Sequence, residues 1–214
     1  MTPATDDPAT LLIQGLRALG VPPEPDRVQQ LALLAHHLAS WAERINLTAH
    51  RTAAEIATRL LLDAAALATV LPPFESAVDL GSGAGLPGLP LAILHPERRF
   101  VLVEARERRH HFQRSAVREL GLRNVEPLRG RAELLDPRPM DLAIAQAMGP
   151  PAQVLEWLRR WSRVGGWVAL PASAGSEPPE PPDGIGLLEA RSYQVPLGGP
   201  PRILWVGERT GHSD

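Results

Sequence analysis

Apolar residues recur at helical spacing through the first third of the chain. Leu11, Leu12, Leu16 and Leu19 share one face, and Gly20 and Pro22 follow as a stop. Leu31, Leu33, Leu34, Leu38 and Trp41 make a second stripe, with His36 and His37 inside it as a helix-face pair. Thr52 and Glu55 have capping-box spacing, and the run from Thr52 to Leu71 predicts a third helix. Between them, Asn46-Leu47-Thr48 reads as a turn or cap. Residues 8–71 therefore predict an all-helical front end.

From residue 76 the period shortens. Residues 76–80 (SAVDL) read as a buried strand, followed by a glycine-rich turn and a helix with Pro87 near its first turn. Further strands are predicted at 99–105, 124–130 and 141–147, then at 167–172 (WVALPA). Helices are predicted at 106–121, ended by Gly121, and at 151–166, ended by a glycine pair. Prolines crowd residues 176–184, which predicts an extended loop. The segments LLEARSYQV and PRILWVGER alternate like strands and form a terminal hairpin. Strands separated by helices imply an α/β fold with a parallel sheet and crossover helices, to which the hairpin adds an antiparallel edge. The expected division is a helical region at 1–72 and a sheet domain at 73–210.

Composition narrows the chemistry. The 214 residues are 44% hydrophobic and carry a net charge of −2, which argues against wholesale adhesion to nucleic acid but leaves room for a local basic face. No cysteine is present, so thiolate nucleophiles, thiolate metal sites and disulfides are excluded. All 22 basic residues are arginine, which excludes lysine Schiff bases. The first ten residues are acidic and lack a signal-peptide layout, and no apolar run approaches the roughly 20 residues of a membrane span. A cytoplasmic location is expected, with no membrane partner.

Residues 77–94 (AVDLGSGAGLPGLPLAIL) carry two overlapping glycine signatures. Gly81, Gly83 and Gly85 follow an acid, Asp79, while Gly83, Gly85 and Gly88 match the dinucleotide fingerprint. Glu104 lies 21 residues after Gly83, where an acid bonds ribose hydroxyls in either setting. A nicotinamide dehydrogenase thus passes the spacing test. Three features favour S-adenosylmethionine instead. Asp79 suits the cationic amino-acid end of that cofactor and would repel a pyrophosphate. The closing hairpin is the usual finish of a methyltransferase sheet, and no separate substrate domain is evident.

The sequence resembles the glucose-inhibited division protein B family, bacterial methyltransferases that modify guanine N7 in small-subunit ribosomal RNA. The resemblance runs from about residue 30 to the end. It rests on WAERINLTAHR (41–51), VDLGSGAGLPGLPLAI (78–93), ERRHHF (107–112), GLRNVEPLRGRAELL (121–135) and DLAIAQA (141–147). It implies a Rossmann-like class I methyltransferase fold, with a mostly parallel seven-stranded sheet, a C-terminal antiparallel hairpin and an N-terminal helical extension. It also implies S-adenosylmethionine as cofactor, and small-subunit RNA or the assembling subunit as partner of a monomeric enzyme. Gly81 and Leu86 match cofactor contacts of the family, Glu104 stands at the ribose acid, and Ala132 and Glu133 at the adenine-side pair.

Departures from the family pattern cluster away from that cofactor half. Ala145-Gln146-Ala147 replaces Ser-Arg-Ala, and Pro171-Ala172 replaces a lysine-glycine. An Arg-His-x-x-Asp-Ser run keeps Arg59 and Asp63 but has Leu60 and Ala64. Arg108 and Arg109 retain the basic pair after the second strand. The expected cofactor set is Asp79, Gly81, Gly83, Gly85, Leu86, Glu104, Ala132, Glu133 and Gln146, and the expected RNA contacts are Arg59, Arg108 and Arg109. No catalytic acid or base and no metal ligand are expected, His110-His111 included. The arginine- and histidine-rich stretch from Arg106 to Arg118 is a candidate phosphate face, or else a solvated helix surface. Trp157, Trp161 and Trp167 are expected in the core. A diverged paralogue with another substrate and a non-catalytic cofactor-binding module remain as alternatives.

Overall fold

The computed structural model describes residues 6–211. Helix α1 (Pro8–Ala18) is capped by the Asp7 carboxylate, which accepts the Thr10 N–H at 2.9 Å. Helix α2 (Pro25–Ala42) buries Leu31, Leu34 and Leu38 as expected, but Leu33 points outward with 38% exposure. It lies off the buried stripe, whose residues recur every three or four positions. His37 stacks on Phe112, its ring centroid 5.5 Å away.

The capping box at Thr52 forms as expected. The third predicted helix is interrupted, however. It comprises α3 (Ala53–Ile56), a π-helical turn (Ala57–Leu61) and α4 (Leu62–Ala68). A π turn re-aims the side chains that follow it, and such turns are frequent at functional sites.

The seven strands are β1 (Ser76–Leu80), β2 (Arg99–Glu104), β3 (Val125–Arg129), β4 (Met140–Ala145), β5 (Ser162–Ser173), β6 (Glu189–Gln194) and β7 (Pro201–Glu208). Helices α5 (Gly88–Leu94), α6 (Glu107–Glu119) and α7 (Pro151–Trp161) connect the parallel strands. The sheet order is β3-β2-β1-β4-β5-β7-β6, and β7 pairs antiparallel with both neighbours. A dinucleotide fold carries parallel strands in the order 3-2-1-4-5-6. An antiparallel strand between the fifth and sixth sets the dehydrogenase reading aside.

One boundary differs from expectation. Arg163-Val164-Gly165-Gly166 opens β5 and does not close α7. Ser162 already pairs with Met140, and Arg163 bonds Asp141 at 2.6 Å. A Cβ on Gly166 would lie 2.8 Å from the Asp141 carbonyl, so glycine there serves strand approach.

Strand alternation divides the core into two layers. Val78 and Leu80 of β1 face the cluster containing Leu155, Leu158 and Trp161 of α7. Ala77 belongs to the opposite layer, with Leu91 of α5 and Leu67 of α4. Leu12, Leu34 and Leu61 of the front helices share a cluster with Leu89 of α5 and Phe112 of α6. The helical front end thereby fixes α5 and α6, which carry the glycine turn and its neighbours.

Candidate active site

The loops after β1, β2, β3 and β4 converge at the C-terminal ends of the parallel strands, where open α/β sheets bind ligands. They enclose a cavity of about 390 Å³ lined by Gly81, Glu104, Arg109, Ala132, Glu133 and Met148, among others. Sequence reading had placed the first five of these in the cofactor or RNA set. The structure brings them into one wall.

The glycine turn is held from three directions. The Glu104 carboxylate, 5% exposed, accepts the Gly83 N–H at 2.9 Å and the Arg106 N–H at 2.6 Å. Ser82 N–H bonds the Val103 carbonyl at 3.1 Å. From α6, the amide of the fully buried Gln113 donates to Ser82 Oγ and to the Gly83 carbonyl, both at 2.9 Å. Gly83 thus has both of its peptide groups engaged before any ligand arrives. Such preorganisation lowers the cost of binding.

Asp79 stands behind the glycine turn. Its Oδ2 accepts the Gly88 N–H at 2.9 Å, the residue is 1% exposed, and it does not line the cavity. Burial pushes its pKa well above the usual carboxylate range; the Gly88 bond opposes that, and the Glu104 charge adds to it. Oδ2 ties the turn to the start of α5, while the buried Oδ1 has no hydrogen-bond partner. A Cβ on Gly88 would sit 2.2 Å from Leu102 and 2.9 Å from Asp79, so the glycine permits this close approach.

The remaining expected residues are distributed around that cavity. Gly81 has φ +65°, and a Cβ there would meet Met148 at 2.7 Å, so only glycine leaves space between turn and side chain. Gly85 is buried within the turn, away from the cavity lining. Ala132 is held by the Trp161 indole, which donates to its carbonyl at 3.1 Å, and Arg160 bonds the Glu133 carbonyl at 2.9 Å. Leu86 and Gln146 lie instead on a small neighbouring cavity with Leu60, Asp63, Ala64 and Arg202. Arg108 and Arg59 are exposed and line none of these cavities. His110 turns inward, 8% exposed, and leaves the suggested phosphate face. Among the described residues, no group of three or more His, Asp or Glu side chains is placed to hold a metal.

Sequence reading missed four residues at the site. Trp157, expected in the core, lines the main cavity; Trp161 one turn later is fully buried as expected. Met148 and Gln113 carry no motif. Arg202 sits on β7, distant in sequence, where only the fold could bring it beside Gln146. Ala147, between Gln146 and Met148, has φ +52°, a strained conformation for a residue with a Cβ.

The cavity fits a nucleoside carrying a vicinal diol. Each Glu104 oxygen has accepted one backbone donor and keeps acceptor capacity for a hydroxyl. Gly81 and Met148 both line this cavity.

The family model for rRNA small subunit methyltransferase G matches residues 27–177. The chain belongs to that family. It is 37% identical over 206 residues to the ribosomal RNA small subunit methyltransferase G of Chromohalobacter salexigens, covering 95% of this chain and 97% of that protein. The enzyme of the same name from Pseudomonas syringae pv. syringae is 35% identical over 214 residues, covering 96% and 97%. A SAM dependent methyltransferase from Aquifex aeolicus shares the fold, with a TM-score of 0.54 and 16% identity over 80% of this chain and 98% of that one. The positions expected to depart from the family pattern share a location. Leu60, Ala64 and Gln146 face the small cavity, while Gln146, Pro171 and Ala172 face a third one beside it.

Proposed function

We propose that this chain is an S-adenosylmethionine-dependent methyltransferase acting on guanine N7 of small-subunit ribosomal RNA. The observation that carries the reading is the Glu104 carboxylate, buried at the end of β2 and bonded to Gly83, facing a cavity of nucleoside size. In this reading Glu104 takes the ribose hydroxyls, Ala132 and Glu133 border the adenine, and the Gly81–Gly83 backbone runs along the methionine portion. Gly85 and Leu86 shape the turn, Asp79 fixes it from behind, and Gln146 stands at the methyl end. Arg59, Arg108 and Arg109 contact RNA phosphates.

When bound, the cofactor would supply an electrophilic methyl group, which a guanine N7 lone pair could accept with the C–S electron pair left on sulfur and no proton to move. The chain's own task is placement. Holding the two reactants in line replaces general acid–base chemistry, consistent with a site lined by glycine, methionine and one diol-binding acid. RNA affinity then rests on arginine contacts. The working form is taken as a monomer in the cytoplasm, with residues 1–72 and 73–210 acting as its two parts. No helix among the described residues is long and apolar enough to cross a membrane.

Labelled S-adenosylmethionine offered to small subunits from a strain lacking the modification tests the reading. Label at guanine N7 is the expected result. Binding of S-adenosylhomocysteine with no label on any RNA marks a non-catalytic cofactor-binding module. Label elsewhere in RNA marks a diverged substrate.

A further inference from the structure

A cavity of about 290 Å³ adjoins the cofactor cavity and shares Ala147 and Met148 with it. Leu170, Pro171 and Trp205 give it apolar walls, and Gln146, Arg202 and Glu177 give it polar ones. Apolar walls with a few placed polar groups are the general form of a small-molecule site. Enzymes that modify a base in structured nucleic acid flip it out of the stack into such a pocket.

Arg202 is the one cationic residue among those lining this cavity and the small one beside it. Its Nη2 donates to Asp63 Oδ2 at 3.0 Å. Asp63 is 8% exposed, so the guanidinium is held by a buried anchor. A fixed cation thus reaches both cavities from β7.

Resting on the function proposed above, we propose that this cavity receives the flipped target base and that Glu177 selects guanine. Methylation at N7 requires that edge to face the shared Ala147–Met148 boundary. Guanine O6, next to N7, then takes a donor from Arg202 or Gln146. The N1–H and 2-amino groups beyond it are donors and need an acceptor. Glu177 is the one carboxylate lining the cavity. Adenine offers an amino group where guanine has O6 and an acceptor at N1, so the same wall rejects it.

Glu177 lies in an exposed loop, so Glu177→Ala is expected to leave the fold intact. The probes are two versions of an RNA fragment that the wild-type protein methylates, with either guanosine or inosine at the target. Inosine lacks only the 2-amino group. The wild type is expected to transfer methyl to inosine about tenfold more slowly. Glu177→Ala erases that ratio, while its S-adenosylhomocysteine affinity by calorimetry matches the wild type. A readout without chemistry is the fluorescence of 2-aminopurine placed next to a guanosine target, which rises as the target base leaves the stack. It rises with the wild type and not with Ala172→Trp, which fills the cavity. Equal wild-type rates on the two RNAs, a ratio unchanged in Glu177→Ala, or a fluorescence rise with Ala172→Trp each overturn the inference alone. Absence of wild-type transfer to any RNA overturns the proposed function and this inference with it.

Discussion

The side-chain amide of Gln113 bonds the carbonyl of Gly83 at 2.9 Å, so a helix remote from the glycine motif fixes the conformation of that motif. The relationship joins α6 to the turn after β1. It acts in parallel with Glu104, which holds the N–H of the same glycine.

Gln113→Leu keeps the volume and removes both donors. It leaves the Gly83 carbonyl and Ser82 hydroxyl without this partner in a buried setting, at a cost of about 1–3 kcal/mol. The removed Oε1 is itself unpartnered, which pulls the figure toward the lower end. The expected outcome is a reduced Tm and a weakened S-adenosylhomocysteine affinity, with RNA affinity unchanged. Calorimetry on the two ligands checks it; equal losses on both would point to general unfolding.

At Glu104 the usual conservative change is not conservative. Both oxygens accept a backbone N–H, so the amide nitrogen of Glu104→Gln must face a donor with a donor. Hydrogen bonds to a charged group contribute about 1.5–3 kcal/mol, a factor of about ten to a hundred. Glu104→Gln should weaken S-adenosylhomocysteine by that factor, and Glu104→Asp should recover little because its shorter stem cannot span Gly83 and Arg106. Titration of either variant to wild-type affinity would refute the assigned role.

Much of this arrangement is legible from residues alone. The change from helical period to short apolar runs marks the junction near residue 72, and the Asp79–Gly88 stretch announces a ligand-binding turn. Glu104 follows from its spacing to Gly83. Three things were not legible, for different reasons. The orientation of Asp79 depends on a bond to Gly88 that only the folded turn creates. Gln113 looks like one more polar residue on an amphipathic helix, yet it faces inward because the turn needs donors there. Arg202 approaches Gln146 through an antiparallel strand inserted between β5 and β6, and no local pattern encodes that adjacency. The start of β5 was misread because glycines after a helix commonly end it, whereas Gly166 here admits a neighbouring carbonyl.

Asp141 governs the acid limb of stability. Partial burial raises its pKa, but bonds from Arg163, Ser76 and the Glu75 and Ser76 N–H groups outweigh this and bring it to about 2. A depressed carboxylate stabilises the fold above its unfolded pKa of 3.8, and that contribution is lost as pH falls towards about 2. The amount is about 2 kcal/mol. Chemical denaturation between pH 5 and pH 2 should show this loss in the wild type, and Asp141→Asn should be less stable at pH 6 with a flatter acid limb. Parallel curves for the two proteins would remove Asp141 from the account.

Gln146 offers the most direct probe of the departures. It lines both cavities beside the cofactor site and stands near the Asp63–Arg202 pair. Burial raises the Asp63 pKa, and the Arg202 charge and bond oppose that rise. An arginine placed at 146 adds a cation to the cavity that this pair lines. Each added phosphate contact steepens the dependence of log affinity on log salt by about 0.7–0.9. Gln146→Arg should bind small-subunit RNA more tightly at low salt, with a slope steeper by about that amount, while S-adenosylhomocysteine affinity stays constant because the Glu104 wall is untouched. An unchanged slope would mean that position 146 does not reach the RNA. A weakened cofactor affinity would mean that the new side chain has entered the cavity through Ala147 and Met148.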